Sequence, residues 1–200
     1  AYTYPLGWKK RLMSPICAGM FETQPLTTEQ LDAIGWQGRE GIYTAHEQLE
    51  NYRFTARNTL IAGGKHIKVP FGYQTSDTYM PKVFNAIEAV FRERFPELSE
   101  LKVKTFWGGW IGITLDFMPD LGIVGKHKNI HYGLGFSGHG IPHTCLMGEL
   151  LSEQVQGKEH PLAKILKRRV IPIPPEPFKW LGTKAVSGVL SMIDGLSLIH

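Results

Sequence analysis

"GLGFSGHGIPHTCLMGELL", residues 133–151, decides how the rest of the chain is read. Gly133, Gly135, Gly138 and Gly140 stand in front of a run in which Leu146, Met147, Leu150, Leu151 and Val155 recur at helical spacing, as far as Gly157. That spacing predicts a helix over 141–156, with Pro142 in its first turn, where a missing N–H does no harm. Upstream, "NIHYGLGF" (129–136) reads as a strand. Strand, glycine-rich turn and helix N-terminus together expose backbone N–H groups beside the positive end of a helix dipole, which suits an anionic or electron-rich ligand. The spacing is not the G-x-G-x-x-G that opens a dinucleotide-binding βαβ unit.

Working outward, the 200 residues are 42% hydrophobic and 20% charged, the composition of a globular chain. Twenty-two basic against 18 acidic residues give a net charge of +4, too weak and scattered to imply nucleic acid. The densest basic cluster, "KILKRRV" (164–170), reads as a solvated helix face. Cys17 and Cys145 both lie in apolar contexts, so no disulfide framework is indicated and a reducing, cytoplasmic setting is expected. No apolar run reaches the about 18 residues of a membrane span. The opening "AYTYPLGWKK" has neither an initiator Met nor a signal-peptide pattern, so a longer polypeptide is expected.

"PICAGMFETQ" (15–24) reads as a buried strand, and Thr27 or Thr28 is placed to cap a short helix. "GIYTA", "NYRFTA" and "NTLIAGG" follow as short β-branched and aromatic runs, which predicts antiparallel strands with a turn at 57–59. Val83, Phe84, Ile87, Val90, Phe91 and Phe95 predict a helix over 81–95, with Ser76, Asp77 and Thr78 as candidate caps. "LKVKTFWGGWIGITLD" (101–116) returns to strand, with a bulge or close ligand expected at Gly108 and Gly109. "MPDLGIVG" adds a turn and short strand, "PIPPEP" (172–177) an extended linker, and "KAVSGVLSMIDG" a last amphipathic helix closed by Gly195.

Four blocks carry a resemblance: "FETQPLTTEQL", "ENYRFTARNTLIAGG", "FWGGWIGITLDFMPDLG" and "GLGFSGHGIPHTCLMGELLSEQVQG". In this order, over roughly residues 17–157, they resemble the C-terminal half of the FAD-dependent amine oxidases of the D-amino-acid oxidase superfamily. The gamma-glutamylputrescine oxidase and sarcosine oxidase branches look most similar. The resemblance implies an α+β fragment of a two-domain fold. Residues 1–112 would be the mainly antiparallel substrate-domain portion, 113–157 the C-terminal strand-helix segment of the FAD-binding domain, and 158–200 linker and C-terminal helix. It further implies a partner N-terminal dinucleotide-binding domain, without which this segment is expected to be inactive. Gly135, Phe136, Ser137, Gly138, His139, Gly140 and Ile141 would line the flavin, chiefly through backbone N–H groups at the N1 and C2 carbonyl edge.

Departures from the family pattern narrow the expectation. Ile111 stands where the superfamily's amino-acid oxidases carry an arginine that clamps the substrate carboxylate, and an aliphatic chain cannot replace a bidentate clamp. An amine substrate is thereby favoured over an α-amino acid held in that manner. Gly109 stands where sarcosine oxidases carry the cysteine that attaches the flavin, so non-covalent FAD is expected. For the lysine that assists oxygen reduction in that branch, Lys68 in "GKHIKVPFGY" is the nearest match, two residues out of alignment.

Each of these residues also has a plainer reading. Trp107 and Trp110 either bound a substrate cavity or pack in the core, with packing favoured. Tyr52 and Arg53 either face substrate or pair across the sheet. Asp116 and Asp120 read as turn formers. His139 either touches the flavin or serves as a polar residue at the helix start. His139, His143, Cys145 and His131 are also soft or borderline donors suited to zinc, without an H-E-x-x-H or paired C-x-x-C pattern to support them. A non-catalytic subunit that keeps half of the fold for interaction is the remaining alternative.

Overall fold

A computed structural model describes residues 3–75, 77–167 and 169–197. They fall into two compact units. One lies within Cys17–Val69, Ser76–Trp110 and Trp180–His200, the other within Ala1–Ile16, Pro70–Thr75 and Ile111–Lys179. Strands β1 (Ser14–Thr23) and β5 (Val103–Ile113) each run from one unit into the other.

The first unit is built on a sheet of order β2-β3-β4-β1-β5, with β2 (Ile42–Tyr43), β3 (Glu50–Phe54) and β4 (Leu60–Lys68). The pairs β2–β3, β3–β4 and β4–β1 are antiparallel, and the β1–β4 register slips between Ala18 and Met20. The turn between β3 and β4 is closed by Thr55 N–H donating to Thr59 O, with Asn58 at φ +58°. Helix α1 (Thr28–Ile34) begins on a capping box in which Thr27 Oγ1 accepts from Gln30 N–H and Gln30 Oε1 accepts from Thr27 N–H.

Helix α2 (Pro81–Arg94) buries Phe84, Ile87 and Phe91, the stripe its spacing predicts. Its N-cap is Met80 without a side-chain bond, and the expected cap Asp77 instead accepts from Tyr79 N–H just upstream. Ser76 lies outside the described residues. Phe91 meets Phe21 edge-on with centroids 5.3 Å apart, and both rings are fully buried. Burial of this aromatic and aliphatic surface drives the unit together.

Helix α5 (Phe178–Ser197) is longer than expected and passes through Gly195 instead of ending there, because Gly195 has open space around it and no left-handed turn. In this unit Asp194 is 3% exposed and its carboxylate accepts from Glu47 N–H at 2.8 Å and Gln48 N–H at 3.0 Å. Among the described residues no helix is long and apolar enough to cross a membrane.

The second unit holds the hairpin of β6 (Asp120–Val124) and β7 (Ile130–Leu134), then α3 (Gly140–Val155) and α4 (Pro161–Leu166). Leu121, Met147, Leu150, Ala163 and Leu166 form its core, with Phe136 and Leu151 packed against them. The basic cluster is therefore not purely a solvated face: Leu166 turns inward beside Ala163 while Lys164 and Lys167 are exposed, and Arg168 lies outside the described residues. Asp120 is a correction too. It is 3% exposed, and its carboxylate takes Lys9 Nζ at 2.9 Å and the Tyr132 hydroxyl at 3.1 Å, so it is a buried ion-pair partner. Asp116 does form the expected turn, accepting from Met118 N–H.

Candidate functional site

The glycines of the turn divide into two kinds. A Cβ on Gly133 would strike Met147, which is buried in the core, so this glycine exists for close packing. Gly135 has φ +78°, and a Cβ there would lie 2.7 Å from Thr114 Cγ2, so it too is explained by packing and backbone conformation. Gly138, at φ +89°, faces open space with only Ile111 Cγ2 at 3.9 Å. Gly140 is similarly open, its nearest neighbour being Phe136 Cβ at 4.0 Å. Half of the bare backbone that drew notice in the sequence is thus used inside the unit, and half is presented outward.

Hydrogen bonding follows the same division. His139 N–H donates to Phe136 O at 2.8 Å, and His143 N–H closes the first helical turn on His139 O at 3.4 Å. Among the described residues the N–H groups of Gly138, Gly140 and Ile141 have no protein acceptor, and His139 gives the helix no side-chain cap. Pro142 has no N–H to offer. The start of this sixteen-residue helix therefore has orphan N–H donors at its positive dipole end with no acceptor among the described residues. Ile141 is 88% exposed.

Ser137 has a different part from its neighbours. It is 5% exposed and sits at φ +48°, a conformation few L-residues adopt without local support. Its Oγ accepts from Thr114 N–H at 3.2 Å, lies 3.1 Å from Thr114 Oγ1 and lies 3.3 Å from Gly135 O, toward which it can donate. Thr114 is fully buried and its own hydroxyl donates to Met118 O at 3.1 Å. Thr114 was not singled out in the sequence, because nothing local links a strand-end threonine to a serine 23 positions on.

The zinc alternative does not assemble. His131 Nδ1 is engaged with Gln154 Oε1 at 3.0 Å and Cys145 Sγ with Ile141 O at 3.6 Å. His139 and His143 have ring centroids 6.0 Å apart, and among the described residues no three His, Cys, Asp or Glu side chains converge.

The other candidates lie in the sheet unit. Lys68 is half-exposed, with Nζ 3.6 Å from Asp77 Oδ2 and 5.9 Å from the centre of the Trp110 ring. Trp110 is 7% exposed and its Nε1 is buried without a partner among the described residues, whereas Trp107 is 39% exposed. Nearby, burial raises the Cys17 thiol above its usual range, opposed by the Lys68 charge, so it stays protonated. Tyr52 is 3% exposed and donates to Glu50 Oε2 at 2.7 Å, in contact with Phe91 and Phe95, while Arg53 is exposed on the other face of β3. A Cβ on Gly109 would meet nothing within 4 Å, so a side chain would fit there without rearrangement.

Residues 3–154 match the family described as "DAO: FAD dependent oxidoreductase". Gamma-glutamylputrescine oxidoreductase of Escherichia coli K12 is 35% identical over 109 residues, 54% of this chain and 24% of that protein. A probable oxidoreductase OrdL of Haemophilus influenzae is 27% identical over 157 residues, 76% of this chain and 32% of that protein. The chain therefore spans between a quarter and a third of these relatives. Among solved structures, L-proline dehydrogenase from P. horikoshii superposes with a TM-score of 0.62 at 20% identity, covering 81% of this chain and 41% of that one. Glycine oxidase from Geobacillus kaustophilus gives 0.62 at 17% identity, covering 84% and 42%. These two likenesses establish a shared fold.

Proposed function

Because the chain belongs to the family of FAD-dependent oxidoreductases, we propose that it forms part of a flavoenzyme oxidising the C–N bond of an amine to an imine, and that Gly135–Ile141 holds the flavin. The observation that carries this reading is the set of unengaged N–H groups at Gly138, Gly140 and Ile141 on an uncapped helix start, where a Cβ on Gly138 or Gly140 would meet nothing nearer than 3.9 Å. Such donors suit the carbonyl-bearing edge of a heteroaromatic ring and stabilise negative charge that accumulates there. FAD, the cofactor the family implies, supplies the two-electron acceptor when bound. Gly109 offers no thiol, which supports non-covalent binding.

In this reading residues 113–157 contribute the flavin-contacting segment, residues 1–112 the substrate-domain portion and 158–200 a linker and terminal helix. A dinucleotide-binding domain completes the enzyme. Ile111, whose Cγ2 lies beside the place a Cβ of Gly138 would take, gives that turn an apolar neighbour and no carboxylate clamp. That favours an amine over an α-amino acid gripped by arginine. A neutral amine gives up hydride without a strong base, so orientation and fixed dipoles carry most of the barrier reduction. Lys68 and the exposed Trp107 are the sheet-unit residues assigned to oxygen reduction and substrate contact, with Arg53 outward on β3. Trp110 backs Lys68 through its ring face, and the buried Tyr52 supports the sheet from within.

The test uses purified full-length protein. It is expected to be yellow, to release its flavin into the supernatant on acid precipitation, and to be bleached by amines with peroxide formed in air. A colourless protein would overturn the assignment in favour of the interaction-only subunit, and bleaching solely by α-amino acids would overturn the substrate class.

A further inference from the structure

We propose that Thr114 is a positioning residue for the flavin-binding turn, setting how strongly that turn favours the reduced cofactor; this rests on the reading just given. A serine at φ +48° between Phe136 and Gly138 is held against its own preference. What holds it is Thr114, through three groups. The Thr114 N–H donates to Ser137 Oγ, Thr114 Oγ1 shares a hydrogen bond with the same oxygen, and Thr114 Cγ2 fills the space that a Cβ on Gly135 would need. Thr114 is itself fixed, since it is fully buried and its hydroxyl is directed at Met118 O.

With the Ser137 side chain drawn inward on one side of the turn, the main chain of Gly138 leaves it in a left-handed conformation, and the N–H groups of Gly138, Gly140 and Ile141 stay without internal acceptors. Thr114 touches none of these donors in the hydrogen bonds described, so it acts through Ser137. Preorganised donors act on developing charge only as far as their directions are fixed beforehand, so loosening this clamp weakens their preference for the charged, reduced ring.

The experiment compares Thr114→Val, which keeps the Cγ2 shape and removes the hydroxyl, with Thr114→Ser, which keeps the hydroxyl. Two readings are taken on the full-length protein: amide exchange at residues 136–141 without added flavin, and the midpoint potential of bound FAD. Thr114→Val is expected to speed exchange at 136–141 and to lower the preference for reduced over oxidised flavin roughly tenfold, a shift of about 30 mV for a two-electron couple. Thr114→Ser, which keeps both hydrogen bonds to Ser137 and loses only the methyl, is expected to shift the potential distinctly less than Thr114→Val. Wild-type exchange and potential in Thr114→Val would overturn the inference, as would an equal potential shift in both variants. Should Thr114→Val fail to fold, Ser137→Ala removes the other half of the clamp and is judged by the same two readings. If wild-type protein takes up no flavin, the cofactor reading falls by itself, while the exchange comparison still decides whether Thr114 orders the turn.

Discussion

Substituting alanine separately at Gly135 and Gly140 should give opposite results for stability. At Gly135 two penalties coincide. The left-handed backbone at φ +78° costs an L-residue about 1–2 kcal/mol. The added Cβ would also lie 2.7 Å from Thr114 Cγ2, on a side chain with no exposure and hence no room to yield, and such overpacking typically costs about 1–3 kcal/mol. For a chain of this size each kcal/mol corresponds to about 2–4 °C, so Gly135→Ala should lower Tm by roughly 4–20 °C. Gly140 is the first residue of α3, has no left-handed strain, and its nearest neighbour is 4.0 Å away. Alanine in a helix is favoured over glycine by about 0.5–1 kcal/mol, so Gly140→Ala should leave Tm unchanged or raise it by a few degrees. Its methyl group nevertheless adds bulk to a turn proposed to lie against the flavin, so flavin affinity should fall although the fold is no weaker. Differential scanning fluorimetry of flavin-stripped protein and equilibrium flavin titration measure the two effects. Equal Tm losses at both positions, or a Gly140→Ala variant that binds flavin as tightly as wild type, would refute the division of the glycines into packing and presenting classes.

Further tests address the scaffold and the proposed chemistry. Glu50 is 2% exposed and takes the Tyr52 hydroxyl at 2.7 Å, Arg94 at 3.3 Å and Lys65 at 3.4 Å; Glu50→Gln should cost about 1.5–3 kcal/mol in urea unfolding. Burial alone would raise its carboxyl, but Tyr52, Arg94 and Lys65 outweigh burial and hold it below its ordinary value of 4.5. A depressed carboxyl stabilises above its unfolded value and loses that contribution as pH falls through the folded one, so wild type should lose more stability than Glu50→Gln on acidification below 4.5. Asp194→Ala strips the acceptor from the Glu47 and Gln48 amides; exchange there and proteolysis within α5 should both accelerate, and unchanged rates would deny that Asp194 anchors the helix. Lys68→Met should slow flavin reoxidation by oxygen in stopped-flow while leaving substrate-driven reduction near wild type, and equal effects on both steps would remove Lys68 from the oxygen half-reaction.

What could be read in the sequence was set by how local its cause is. Helix α2 was legible because Phe84, Ile87 and Phe91 share one face within a few turns, and α1 because Thr27 and Gln30 form their capping box three residues apart. The start of α2 was not, since Pro81 fits the first turn without help and Asp77 spends its carboxylate on Tyr79 N–H. Strand existence was legible, but not that β1 lies between β4 and β5, a pairing across long loops. At the candidate site the glycines announced themselves, yet which of them serve packing depended on Met147 and Thr114, 14 and 21 residues away from Gly133 and Gly135 respectively. Asp120 looked like a turn residue because its cation, Lys9, lies 111 positions upstream.

Under the proposed function, the main-chain donors at Gly138, Gly140 and Ile141 hydrogen-bond the cofactor. Residue-resolved amide exchange on the full-length protein, flavin-loaded against flavin-stripped, tests it most directly. Strong added protection is expected at these three amides when FAD is bound, with His139 N–H, already donating to Phe136 O, changing least. Bound flavin with exchange unaltered at Gly138, Gly140 and Ile141 would contradict it.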